Sequence, residues 1–117
     1  MARILIFEPH ADIRSLLELV VHRLGHEAVL VDDANAALLP VDAAVIEPGD
    51  GNGLPLAQRL RAQGTPIVFA SIFPPDNELL ALGPVAYLVK PFSLYELETA
   101  LCDALGDADR AVPQAAV

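Results

Sequence analysis

The chain has 117 residues, 54% of them hydrophobic, a single cysteine and a formal charge of −9. That size suits one domain around one core. No apolar stretch approaches the roughly 18 residues of a membrane span, and six arginines with one lysine, thinly spread, make no basic stripe for nucleic acid. Met1-Ala2-Arg3-Ile4 runs straight into an apolar segment too short for a signal-peptide core, so the expectation is a cytoplasmic protein. Cys102, in a predicted helix, reads as a small core residue and has no internal disulfide partner.

Ile4-Leu5-Ile6-Phe7 is an apolar run stopped by Glu8-Pro9, the pattern of a buried strand. Ile13, Leu16, Leu17, Val20, Val21 and Leu24 then recur at helical spacing, with Asp12 in the first turn and Gly25 after the last. Ala28 to Val31 is a second strand, closed by Asp32-Asp33, and Ala34 to Leu39 allows only a short helix before Pro40. Ala43 to Ile46 is a third strand ending on Glu47, followed by a turn-rich loop from Pro48 to Gly53. Leu54 to Gln63 follows as a helix, with Pro55 near its start and Gly64 after it.

Ile67 to Ala70 is a fourth strand ending at Ser71, and Pro74-Pro75-Asp76 opens a short helix through Leu82. The fifth strand, Val85-Ala86-Tyr87-Leu88-Val89, ends on Lys90, the chain's one lysine, and Pro91 cannot extend a ladder. Ser93-Leu94-Tyr95-Glu96 is a capping box for a last helix with Leu94, Leu97, Leu101 and Leu105 on one side. These units predict one α/β domain over residues 1–105 with a flexible tail over 106–117. Short all-apolar strands alternating with helices imply a parallel sheet covered on both faces, joined by right-handed crossovers.

Four polar groups fall at the carboxyl ends of predicted strands: Glu8, Glu47, Ser71 and Lys90. In open α/β sheets that edge is where sites are built. An ammonium there must stay hydrated or find a partner, because burying an unpaired charge is very costly. Glu8-Pro9-His10 matches a cobalamin-binding pattern too poorly to count, since Ile13 stands where that pattern needs glycine. His10, His22 and His26 have no spacing that gathers three metal ligands, and read as a loop residue and two surface residues.

Over about residues 3 to 105 the chain resembles the receiver domain of two-component response regulators. The most specific match is Tyr87-Leu88-Val89-Lys90-Pro91-Phe92, supported by Ile4 to Arg14, Pro66 to Ser71, and Gly53-Leu54 with Arg61. The resemblance implies the flavodoxin-like fold, a doubly wound sheet of strand order 2-1-3-4-5. It also implies an acidic pair at Glu8 and Pro9, the phosphoacceptor position at Glu47, phosphoryl-contact positions at Ser71 and Lys90, a switch aromatic at Tyr87, and a cis bond before Pro91. In the family, Mg²⁺ sits on the acidic residues.

This chain departs from that pattern where the chemistry is done. Pro9 offers neither carboxylate nor N–H, and Mg²⁺ depends on carboxylates plus waters in tight octahedral geometry. Glu47 is a methylene longer than aspartate, a shift of about 1 Å that can cost about a hundredfold where a reaction depends on positioning, as phosphoryl transfer does. Ordinary aspartyl-phosphate formation is therefore not expected, Mg²⁺ binding is expected to be weak or absent, and no other cofactor is implied. Glu47 could stand in for a phosphorylated aspartate, or it could simply pair with Lys90 as a structural ion pair; both imply action independent of phosphorylation.

The expected function is thus a non-enzymatic protein-interaction module in phosphorelay signalling. The alternatives are a working phosphoacceptor using Glu47 or Asp50, and a small flavodoxin-like enzyme or ligand-binding protein. The expected partner is a protein, a histidine kinase or a downstream effector, with no nucleic acid and no membrane. The family commonly pairs through the face that here spans Asp76 to Leu82, Val85 to Val89 and the outer side of Ser93 to Leu105. That face is almost wholly acidic here, so a monomer or weak dimer is expected.

Overall fold

The computed structural model describes residues 1–32, 40–49 and 53–106. The elements are β1 (Arg3–Phe7), α1 (Ala11–Arg23), β2 (Glu27–Leu30), β3 (Ala43–Ile46), α2 (Gly53–Ala62), β4 (Ile67–Ser71), α3 (Asn77–Leu80), β5 (Ala86–Val89) and α4 (Leu94–Leu105). The strands form one five-stranded sheet of order β2-β1-β3-β4-β5, parallel throughout. This is the expected flavodoxin-like arrangement. The expected short helix over Ala34 to Leu39 lies outside the described residues, as do Asp50 and the tail beyond Gly106.

Alternation along the strands sends side chains into two cores, one on each face of the sheet. Ile4 and Ile6 of β1, Val45 of β3, Val68 of β4 and Leu88 of β5 pack under α1 and α4, against Leu17, Val20, Leu97 and Leu101. Leu5, Phe7, Ile46, Ile67 and Phe69 point the other way, against Leu56, Ala57 and Leu60 of α2 and Leu79 of α3. β1, β3 and β4 are covered on both faces and are apolar at nearly every position, as buried parallel strands must be.

The boundaries differ from the sequence expectation for local reasons. β2 begins at Glu27, whose N–H bonds the Ala2 carbonyl, and its strand character stops at Leu30 although Val31 N–H still reaches Ile6 O. α3 shortens to one turn: Asp76 caps it by accepting the Leu79 N–H at 2.9 Å, and Ala81 and Leu82 turn away toward Gly83 at φ +66°. Leu16 belongs to the helical spacing but is 37% exposed, because the buried stripe of α1 runs through Leu17, Val20 and Val21. Cys102 is half-buried at the margin of the core rather than inside it. The capping box of α4 is formed as expected, Ser93 Oγ accepting the Glu96 N–H and Glu96 Oε1 accepting the Ser93 N–H, both at 3.0 Å.

Gly53 opens α2 where the chain doubles back on Glu47 and Pro48. A Cβ at this position would lie 2.8 Å from Pro48 Cα and closer still to the Glu47 carbonyl oxygen. Both obstacles are backbone, so neither can rotate away. Gly53→Ala is expected to lower stability by about 1–3 kcal/mol, read as a drop in the urea midpoint at unchanged slope. Gly64→Ala in the turn after α2 meets open space and tests the contrast, costing only the strain of its φ of +82°.

Candidate functional site

Four of the five strands deliver a polar group to the carboxyl edge of the sheet as their apolar runs end. Glu8 follows β1, Glu47 follows β3, Ser71 is the last residue of β4, and Lys90 follows β5. The parallel register puts the ends of β1 and β3 side by side, Phe7 opposite Ile46, and the end of β4 beside that of β5, Ser71 opposite Val89. Glu47 N–H bonds Phe7 O, and Lys90 N–H bonds Ser71 O at 2.8 Å, so backbone bonds fix where both side chains start. The Lys90-Pro91 bond is cis, as the resemblance implies.

The lysine ammonium is the centre of the group. Lys90 Nζ donates to Glu8 Oε1 and to Glu47 Oε2, each at 2.7 Å. All three side chains are buried, 7%, 1% and 6% exposed for Lys90, Glu8 and Glu47. The remaining carboxylate oxygens are also taken: Glu8 Oε2 accepts the His10 N–H at 3.2 Å and lies 2.9 Å from His10 Nδ1, and Glu47 Oε1 accepts the Gly49 N–H at 2.6 Å. Arg14 Nη1 bonds the Glu8 carbonyl at 3.3 Å. Among the described residues no buried side-chain polar atom lacks a partner.

Burial is the largest single influence on Lys90, and alone it would favour the neutral amine. The hydrogen bonds that Lys90 donates to Glu47 and Glu8, with the charges of both carboxylates, together outweigh it and hold the ammonium above its ordinary value of 10.5.

Ser71 borders this group through its backbone rather than its hydroxyl. Its Oγ accepts the Phe73 N–H at 3.1 Å. Tyr87 OH donates to the Phe73 carbonyl at 2.9 Å, and the Tyr87 ring tilts against Phe69 with centroids 5.9 Å apart. Pro9, His10, Glu47, Gly49, Ile72 and Phe73 line a cleft of about 200 Å³ over the ion group. His10, expected as a plain loop residue, is thus part of the site. Its place two residues beyond a buried glutamate, with Pro9 forcing a turn between them, is the signal that could have revealed it.

As arranged, these groups do not suit Mg²⁺. A cation already sits between the two carboxylates, every carboxylate oxygen accepts a hydrogen bond, and Pro9 adds no oxygen. Among the described residues no three His, Cys, Asp or Glu side chains are grouped to hold a metal.

With this geometry in hand, solved structures place the fold. The receiver domain of the sensor histidine kinase PA1611 from Pseudomonas aeruginosa has a TM-score of 0.75 and 25% identity, over 91% of this chain and 98% of that one. A sensor protein from Polaromonas sp. has a TM-score of 0.74 and 28% identity, over 88% and 94%. The domain is a response-regulator receiver. No family model matches the receiver's sequence. It is 35% identical over 111 residues to the two-component response regulator PhoP of P. aeruginosa, covering 85% of this chain and 49% of that protein. It is also 33% identical over 123 residues to a probable transcriptional regulatory protein of Picosynechococcus sp., covering 89% and 49%. The receiver therefore spans about half the length of the curated relatives it matches. Among the described residues no helix is long and apolar enough to cross a membrane.

Two outcomes follow from the central ion group. Lys90→Met leaves two buried carboxylates without their counter-charge and is expected to cost about 3–5 kcal/mol in chemical unfolding. Adding Glu8→Gln and Glu47→Gln to that variant removes the orphaned charges and should return much of the loss. The second outcome concerns alkali. The folded-state pKa of Lys90 lies above 10.5, so its stabilisation is complete below 10.5 and is lost as the pH rises through the higher folded value. The stability difference between the parent and Lys90→Met should therefore be flat through neutral pH and shrink only in that alkaline range.

Proposed function

We propose that this receiver works in two-component signalling as a contact module whose state does not depend on phosphorylation. The observation that carries the proposal is the Lys90 ammonium held 2.7 Å from both Glu47 and Glu8. An incoming phosphoryl group would need that lysine for charge neutralisation, a metal to bridge its oxygens, and a free nucleophile oxygen. Here the lysine is engaged, Pro9 supplies no ligand, and both Glu47 oxygens are bonded, one to Lys90 and one to the Gly49 N–H. The PA1611 receiver, by contrast, is described with a magnesium ion coordinated in its active-site cleft.

On this reading the chain has no catalytic role of its own and binds Mg²⁺ weakly. Glu47 acts as a permanent occupant of the acceptor position, with Ser71 and Tyr87 held in one arrangement by their shared hold on Phe73. The partner is a protein, a histidine kinase or a downstream effector. The signalling unit is residues 1–105, with 106–117 as an appended tail. The competing reading, phosphorylation on Glu47, has against it the two hydrogen bonds that Glu47 already makes; Asp50 lies outside the described residues.

Incubation with acetyl phosphate and Mg²⁺ is expected to leave the intact mass unchanged, and calorimetric titration with Mg²⁺ is expected to show no saturation in the low millimolar range. The double substitution Pro9→Asp with Glu47→Asp should restore saturable Mg²⁺ binding. A base-labile gain of one phosphoryl group on the parent protein would overturn the proposal.

A further inference from the structure

The hold on Glu47 depends on a side chain that is absent. Gly49 comes round onto the carboxylate that follows β3, and its N–H donates to Glu47 Oε1 at 2.6 Å. A Cβ built on Gly49 would lie 2.6 Å from that same oxygen, closer than a non-bonded carbon and oxygen can sit. Its other neighbours, Glu47 Cδ and Phe73 Cδ2, stand at an ordinary 3.6 Å. The φ of Gly49 lies outside the left-handed region, unlike that of Gly25 or Gly64, so alanine would meet no left-handed strain here. What this position asks of its residue is room for one carboxylate oxygen.

The carboxylate has little freedom to yield. Its second oxygen, Oε2, is held by Lys90 Nζ at 2.7 Å, and the side chain is buried. Its backbone start is fixed as well, the Glu47 N–H being bonded to Phe7 O. The cleft bordered by Pro9, His10, Ile72 and Phe73 is the space into which it could turn. Turning there carries Oε2 away from Lys90 and leaves the ammonium its bond to Glu8. An aspartate at position 47 would not meet this conflict. Its carboxylate oxygens would fall about where Glu47 Cδ now lies, at contact distance from the Gly49 Cβ position. Glycine at 49 is thus required by glutamate at 47 and not by aspartate.

We propose that Gly49 is the positioning residue for Glu47: by lacking a Cβ and offering its N–H, it seats the carboxylate against Lys90 and keeps the acceptor position filled. This deepens the contact-module reading and rests on it for its meaning in signalling.

Lys90 is the chain's one lysine, so isotopically labelled lysine gives a single Cε–Nζ correlation by NMR, reporting on this site alone. The measurement is made on the 117-residue chain without Mg²⁺ or acetyl phosphate, for the parent, Gly49→Ala, Glu47→Asp and the double variant of those two. Glu47→Ala supplies the signal of a lysine lacking this partner. Gly49→Ala is expected to move the Nζ signal toward that of Glu47→Ala. Its alkaline titration should also fall to lower pH than in the parent, because burial is then opposed by fewer partners. In urea, Gly49→Ala should lower the folding constant at least about tenfold in the parent and less than about threefold in the Glu47→Asp background. The inference is overturned if the Nζ signal of Gly49→Ala coincides with that of the parent, or if alanine costs the same in both backgrounds, which is a backbone effect alone. Should Gly49→Ala fail to fold, the double variant decides: a folded double variant upholds the inference and an unfolded one overturns it. A phosphorylated parent would defeat the contact-module reading and leave the Nζ result standing, while an unchanged Nζ signal would leave the intact-mass test above untouched.

Discussion

One ammonium between two buried carboxylates decides how the carboxyl edge of this sheet is put together. Taking three charged groups out of water is expensive, and the arrangement survives because each is met at close range and every leftover oxygen finds an N–H. The group carries two negative charges against one positive, with the His10 ring on the Glu8 side. That surplus does not welcome another anion. The carboxyl edge of the sheet is thus filled at its centre by its own side chains.

The local sequence around the ion group serves the same end. Pro9 removes a donor and turns the chain so that the His10 N–H and ring come back onto Glu8. The extra methylene of Glu47 lets one carboxylate oxygen reach Lys90 while the other folds back to the Gly49 N–H. Gly53 then allows α2 to start hard against the Glu47–Pro48 backbone, so the carboxylate and the helix beneath it are positioned together. Pro9 and Glu47, the two departures from the receiver pattern, are thus the two residues that complete the ion group.

Much of this was legible in the chain itself. Strands β1, β3 and β4 announce themselves as apolar runs cut off by Glu8-Pro9, Glu47-Pro48 and Ser71, because a doubly covered strand can carry nothing polar until it emerges. The same logic located Glu8, Glu47 and Lys90, and the Ser93 capping box fixed the start of α4 to the residue. What escaped depends on partners distant in sequence or on short-range geometry that residue type does not encode. The helical spacing of α1 could not say that Leu16 would sit at the edge of the buried stripe. Nothing in Asp76 to Leu82 revealed that the helix would stop after a single turn, and the direction of the Ser71 hydroxyl depends on where the Phe73 amide comes to lie.

The Phe73 peptide links parts of the molecule that otherwise share little. Its N–H is held by Ser71, whose own carbonyl accepts the Lys90 N–H, and its carbonyl by Tyr87, at the margin of the far core. Phe73 itself is exposed, so a loop residue facing water has both of its backbone dipoles tied to the sheet. Two side chains from neighbouring strands thus converge on the backbone of one residue. The amide hydrogen of Phe73 would consequently exchange with solvent only through openings that break its bond to Ser71, making one backbone site a reporter of how often this rim loosens.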